Sequence, residues 1–389
     1  MNNFIYEIPT KIFFGKDQIQ NLGAEISKYG KNVLLTYGGG SIKRSGLYEK
    51  VYAQAQTFNL NIFELGGIDP NPRISSVKEG AKICKENNID VVLAVGGGST
   101  IDCSKFICAN ALDEVEDPWD YFIGKAKVTK ALPLITVLTI AAAGSEMNFG
   151  GVLTNEDLKL KLNTSNPILR PKASFLDPTL TYTVSKFQTA CGAADIFSHL
   201  IEVYFNLKAD FFMLRRINEA LLKTVIKYGP IALDEPDNYE ARANLMWSSS
   251  WAQNGFLKAG DAINWSCHPI EHELSAINDL THGLGLAILT PKWMEYCLNN
   301  TTLPIYVELG VNVFDIDSSK DSKTIAYETI QKVKDFFYKD LGLSDSLSKV
   351  GIFEKDFETI ARNACKGKTL NSFVPLDQKA IEDILMMCK

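Results

Sequence analysis

Twice near its start the chain runs a short apolar segment into the same tetrapeptide. Lys31 to Tyr37 (KNVLLTY) stops at Gly38-Gly39-Gly40-Ser41, and Ile89 to Val95 (IDVVLAV) stops at Gly96-Gly97-Gly98-Ser99. Helix-compatible stretches follow both, SGLYEKVYAQAQTF after the first and TIDCSKFICANA after the second. Two strand, glycine turn, helix units predict a parallel α/β sheet. A third apolar run, Leu134 to Ile140, ends in AAAGSEMN, and Asn71-Pro72 and Asp177-Pro178 supply turns.

Such turns carry chemistry as well as topology. Glycines between a strand end and a helix start let backbone approach a pyrophosphate, and the helix N-terminus offers unpaired N–H groups and the positive end of its dipole. Neither copy completes G-x-G-x-x-G, so nucleotide binding rests on the flanking strand and helix rather than on the tetrapeptide. NAD sites commonly place an acidic residue at a strand end for the ribose 2′-hydroxyl, and Tyr37-Gly38-Gly39-Gly40 has none. Ser41, Lys43 and Arg44 follow instead. A hydroxyl and two cations suit a 2′-phosphate, which predicts NADP(H) in preference to NAD(H).

Beyond Pro178 the texture turns helical, in stretches such as ACGAADIFSHLIEVYFNL and SKTIAYETIQKVKDFFYKDLG. All 4 histidines lie there, at 199, 268, 272 and 282. Asp195 with His199, and His268 with His272, are i,i+4 pairs that each set two potential ligands on one helix face. A carboxylate among imidazoles predicts one divalent-metal site. His268-Pro269-Ile270-Glu271-His272 also fits the H-x-x-E-H pattern of a metallopeptidase, with Glu271 as general base. That reading leaves Asp195, His199 and both glycine turns unexplained.

At 389 residues the chain exceeds one hydrophobic core, and two domains are expected: 1–178, α/β, and 179–389, helical, with the Asp177-Pro178 pair as the boundary. The net charge of −6 is interspersed, without the basic stripe that nucleic acid or an anionic membrane requires. No apolar run reaches ~18 residues and the N-terminus lacks an export signal, so a cytoplasmic location is expected. The 8 cysteines form no C-x-x-C and read as reduced, packed thiols, Cys267 beside His268 included.

Taken together, GGGSTID at 96–102, GSEMN at 144–148, ADIFSH at 194–199, the H-x-x-x-H with a third histidine ten residues on, and the Asp177-Pro178 hinge resemble the iron-containing (group III) metal-dependent alcohol dehydrogenases. The likeness spans nearly the whole chain and is greatest to the butanol dehydrogenase and NADPH-dependent aldehyde reductase branch. It implies a Rossmann-like nucleotide-binding domain followed by an all-helical metal-binding domain, the dehydroquinate synthase-like architecture, with the active site in the cleft between them and a homodimeric assembly. The resemblance makes Asp195, His199, His268 and His282 the metal ligands. His272 becomes a non-ligand proton carrier, with Asp102 the second catalytic candidate, near the nicotinamide. Gly97, Gly98 and Ser99 would hold the pyrophosphate. Gly38 and Gly39 belong to the same cofactor set, Ser41 would meet the 2′-phosphate with Lys43 beside it, and Asn71, Thr139, Asn148 and Lys161 match further cofactor contacts. In place of the family's threonine-rich approach to GSE stands Thr139-Ile140-Ala141-Ala142-Ala143.

The implied activity is hydride transfer between NAD(P)H and short aliphatic aldehydes or alcohols such as butanal and butanol. It would use one divalent cation, which can be Fe, Zn, Co, Ni or Mn. Glycerol dehydrogenase-like and dehydroquinate synthase-like activities are alternatives on the same fold. A polyanionic substrate would call for lysines and arginines around the metal, whereas ADIFSHLIEVYF and NWSCHPIEHELSAI bring apolar and aromatic side chains.

Overall fold

The computed structural model describes residues 2–389 apart from Ala209 and Ala262. The chain divides into two compact units, one of Glu7–Val184 with Pro236–Asn254, the other of Ser185–Glu235 and Gly255–Lys389 with the extreme N-terminus.

The first unit is built on strands β1 (Lys11–Phe14), β2 (Asn32–Tyr37), β3 (Asn61–Leu65), β4 (Val91–Gly96), β5 (Leu134–Leu138) and β8 (Ala173–Leu176), joined in one sheet of order β1-β8-β5-β4-β2-β3 with every pair parallel. A separate antiparallel hairpin, β6 (Gly150–Asn155) with β7 (Leu160–Ser165), completes its strands. Helices α1 (Leu22–Ile26), α2 (Ser41–Arg44), α3 (Leu47–Thr57), α4 (Ile74–Glu86) and α5 (Gly98–Leu112) fill the connections. Central strands covered on both faces must be apolar throughout rather than alternating, and Val33, Leu34, Leu35 and Val91 to Val95 are fully buried. Their side chains still divide by parity: Leu34, Val92 and Ala94 join the core that holds residues of α4 and α5, while Val33, Leu35, Val91, Leu93 and Val95 join that of α1 and α3. From β2 the chain moves outward to β3, and from β4 it moves the other way to β5. The carboxyl ends of β2 and β4 therefore flank the switch point where doubly wound sheets bind ligands, and both glycine turns stand there.

The second unit is helical: α6 (Lys186–Asn206), α7 (Phe212–Asp234), α9 (Cys267–Asn278), α10 (His282–Cys297), α11 (Leu303–Phe314), α12 (Ser322–Asp335), α13 (Glu354–Cys365) and α14 (Gln378–Met387). Helix α6 is its axis, buried on all sides from Thr189 to Phe205 and packed on α7 and α10. A helix apolar all round belongs in a core, and the polar residues it carries inward need partners there.

The remaining long helix, α8 (Tyr239–Gln253), differs from expectation. By sequence it falls in the helical half, yet it packs with the α/β unit. Phe14 of β1 meets Trp247 with ring centroids 5.4 Å apart, Ser249 Oγ donates to Ala142 O at 2.9 Å, and Arg170 Nη2 donates to Asn254 O at 3.1 Å. The chain leaves the α/β unit at Val184, six residues past the expected boundary, and returns to it for this one helix.

Candidate active site

Four candidate donors converge within the helical unit. Asp195 and His199 come from one face of α6, His268 from the first turn of α9 and His282 from the first residue of α10. Gly283 makes the last possible, since a Cβ there would stand 2.0 Å from Cys191 O on α6; only a glycine lets α10 begin so close to Asp195. Around Asp195 Oδ1 lie His199 Nδ1 at 3.5 Å, His282 Nε2 at 3.8 Å and His268 Nε2 at 3.9 Å. Tetrahedral ligands on bonds of ~2.1 Å stand roughly 3.4 Å from one another, so this spacing is close to that of a shell around one cation. His199 Nδ1 and His268 Nε2 are buried and form no hydrogen bond among the described residues. Burial, reinforced by the neighbouring His268 and His282, holds the His199 pKa well below its usual range, which keeps the imidazole in the neutral form that binds metal. The donor set fits a divalent cation.

Two carboxylates stand behind the ring. Glu202, on α6 and fully buried, hydrogen-bonds His268 Nδ1 and accepts the backbone N–H groups of Ser266, Cys267 (2.9 Å) and His268 (3.2 Å). It thereby caps α9 and turns His268 Nε2 towards Asp195. Glu271, equally buried, does the same for His282 through Nδ1 and accepts from Ser275 Oγ. This assigns the glutamate of HPIEH to orienting a histidine instead of activating water. Glu202 was not among the expected site residues, although Asp195, His199 and Glu202 continue one face of α6 at helical spacing; Glu271 was expected only as the general base of the metallopeptidase alternative. His272 is buried, its ring centroid 5.5 Å from that of His282, beside rather than within the set around Asp195. The Cys267 thiol is buried and its pKa raised by that burial.

At the carboxyl end of β4, Gly97 precedes α5 and no side chain caps the helix, so its first N–H groups are left for a ligand. A Cβ on Gly97 would stand 2.4 Å from Ile140 Cγ2, which keeps this turn bare. The arrangement fits a pyrophosphate on Gly97, Gly98 and Ser99. Thr139 is tied to the same strand end through its N–H to Gly96 O at 3.0 Å. Asp102, one turn into α5, is buried and accepts the Val152 N–H at 2.9 Å; burial raises its pKa against the opposing pull of Lys105. Lys105, which sequence reasoning passed over although T-I-D-C-S-K sets it three residues from Asp102, is fully buried and donates to Asn148 Oδ1 at 2.6 Å and Gly150 O at 2.7 Å. Burial brings its pKa down to about 8. Lys161 and Asn71 meet directly, Nζ to Oδ1 at 2.8 Å. Gly38 and Gly39 occupy the turn after β2 and Ser41 opens α2, but the Lys43 ammonium lies over the rings of Tyr37 and Tyr48, at 5.1 and 4.7 Å from their centroids.

A dehydrogenase that pairs a redox nucleotide with a metal is the class these two sites define. Residues 9–178 match the model of the iron-containing alcohol dehydrogenases, and residues 189–388 match the C-terminal domain of the Fe-containing alcohol dehydrogenase family. The chain is 51% identical over 386 residues to the NADH-dependent butanol dehydrogenase B of Clostridium acetobutylicum, covering 99% of each protein. It is 37% identical to the NADPH-dependent aldehyde reductase YqhD of Escherichia coli, over 90% of each. The crystal structure of the NADH-dependent butanol dehydrogenase A of Thermotoga maritima superposes with a TM-score of 0.94 at 38% identity, covering 100% of this chain and 99% of that one. The chain belongs to the iron-containing alcohol dehydrogenase family. Its activity is of the alcohol and aldehyde dehydrogenase class, and the family implies a metal and a nicotinamide cofactor. Among the described residues no helix is long and apolar enough to cross a membrane.

Proposed function

We propose that the protein interconverts short aliphatic aldehydes and alcohols, butanal and butanol among them, using NAD(P)H and one divalent cation held by Asp195, His199, His268 and His282. The observation that carries this is the convergence of three imidazole nitrogens on Asp195 Oδ1, in a chain whose other unit offers an uncapped helix start at the sheet's switch point. When bound, the cation supplies Lewis acidity to the substrate oxygen and the nicotinamide carries the hydride. Backbone N–H groups of Gly97, Gly98 and Ser99 bind the pyrophosphate, and Lys161 and Asn71 hold the nucleotide further along. Asn148 is a cofactor contact in the same reading: its Oδ1 also accepts the Gly150 N–H at 3.1 Å, which turns its amide N–H groups away from Lys105. Asp102 lies at the nicotinamide end, and a cytoplasmic homodimer is part of the reading. Ser41 and Lys43 give the protein a means of accepting the 2′-phosphate of NADP(H), while the butanol dehydrogenases among its relatives are named for NADH. The proposal is therefore an enzyme competent with both cofactors.

The test is oxidation of NADPH and of NADH by a panel of aldehydes after reconstitution with Fe(II), zinc or cobalt. Loss of absorbance at the nicotinamide band is expected; an unchanged band under every metal overturns the proposal. His272, next to the ring and not in it, serves as the proton carrier between the substrate oxygen and solvent, since an imidazole can accept a proton on one nitrogen and release one from the other. His272→Ala is expected to lower kcat about a hundredfold while elemental analysis finds the metal still bound. Metal lost with the histidine would move His272 into the ligand set.

A further inference from the structure

Beside the first glycine turn one carboxylate collects three phenols. Glu64 on β3 accepts hydrogen bonds from Tyr37 (2.7 Å), Tyr48 (2.6 Å) and Tyr52. Tyr37 is the last residue of β2, and its O accepts the Ile68 N–H at 3.2 Å while Gly38 O accepts the Gly67 N–H at 3.3 Å, so the segment that leaves Glu64 is bonded to the turn itself. Burial works to raise the Glu64 pKa, but the three hydroxyls and the Lys43 charge outweigh it, and the carboxylate stays ionised. Phenols that donate to an anion present electron-rich faces, and the Lys43 ammonium rests over two of them. The cation expected to meet a 2′-phosphate thus already has a counter-ion, supplied from the neighbouring strand and not from the strand end where acidic selectors of NAD are sought.

We infer that Glu64, acting through Tyr37 and Tyr48, sets the cofactor choice by holding Lys43 on the tyrosine faces and placing a fixed negative charge beside the 2′ position of the adenosine ribose, which disfavours NADPH relative to NADH. Glu64 touches no cofactor atom in this account; it is a specificity-determining residue that works on Lys43. The inference rests on the nicotinamide reading given above and refines it. Glutamine at this position keeps an acceptor for the tyrosines and removes the charge.

Direct binding provides the test, through enhancement of nicotinamide fluorescence on titrating NADPH and NADH into the full-length protein without substrate. Glu64→Gln is expected to tighten NADPH about tenfold while the Kd for NADH moves less than about twofold. An unchanged NADPH to NADH ratio in a variant that retains the wild-type melting temperature overturns the inference. If Glu64→Gln does not fold, the wild-type protein decides. Raising salt from about 0.05 to about 0.5 M should leave the NADPH to NADH ratio of Kd unchanged or lower, because the ammonium is already neutralised; a ratio that climbs several-fold shows Lys43 free to bind phosphate and overturns the inference. Failure of the wild-type protein to bind either nucleotide is a separate result and counts against the dehydrogenase reading.

Discussion

Alanine in place of His282 is expected to strip the metal and the activity together. The ring it removes lies 3.8 Å from Asp195 Oδ1 and is held by Glu271, so the substitution deletes one donor and leaves a fully buried carboxylate without its imidazole partner. A shell of one oxygen and two nitrogens still attracts a cation but no longer encloses it, and affinity should fall by more than about 100-fold. Lewis-acid stabilisation is worth several kcal/mol, so turnover at subsaturating metal should fall by more than about a thousandfold. Elemental analysis of the purified variant is the check. Stoichiometric metal in the His282→Ala protein would remove this residue from the ligand set and with it the proposed geometry.

The second large effect is expected at a residue that touches no metal. Glu202→Gln retains shape and replaces one oxygen by an N–H donor, which then faces the backbone N–H groups of Ser266, Cys267 and His268 or His268 Nδ1, all of which require an acceptor. Either the start of α9 loses its cap or His268 loses the bond that directs Nε2 inward. The cost in stability should be roughly 1–3 kcal/mol, the usual penalty for an unsatisfied buried group, and metal affinity should fall about 10- to 100-fold. Thermal melts with and without added metal separate the two. Should the variant melt lower while its metal affinity is unchanged, Glu202 is a helix cap alone.

The readable parts of this chain are those where several local signals agree. β2 and β4 were legible because strands covered on both faces must be apolar along their whole length, and the glycine turns stop them sharply. The fourfold spacing of Asp195–His199 and His268–His272 pointed to a metal site, but spacing did not distinguish ligands from bystanders. That distinction depends on where α10 begins, which Gly283 decides through a contact with Cys191 O far away in sequence. Glu202 escaped notice, and Glu271 was read only as a base in the metallopeptidase alternative, because a glutamate on a helix ordinarily reads as a solvated face and only tertiary burial reveals that each grips a histidine. Strands β1 and β8 are four residues each, too short for periodicity to show. The allegiance of α8 was invisible for another reason: helical periodicity indicates which face is buried and says nothing of which core buries it.

That last helix has a bearing on how the protein is made. The ribosome delivers Glu7–Val184 first, but the α/β unit includes Pro236–Asn254, which emerges only after α6 and α7 have been synthesised. Until then Phe14, the carbonyl of Ala142 and the buried Glu146, whose carboxylate accepts from Ser250, wait without their partners on α8. The nascent α/β unit is thus an unfinished body during translation of the next segment, with apolar surface exposed to misassociation or to chaperones. Order of synthesis and order of completion differ here, so a cut at the apparent boundary after Pro178 severs the α/β unit from part of itself.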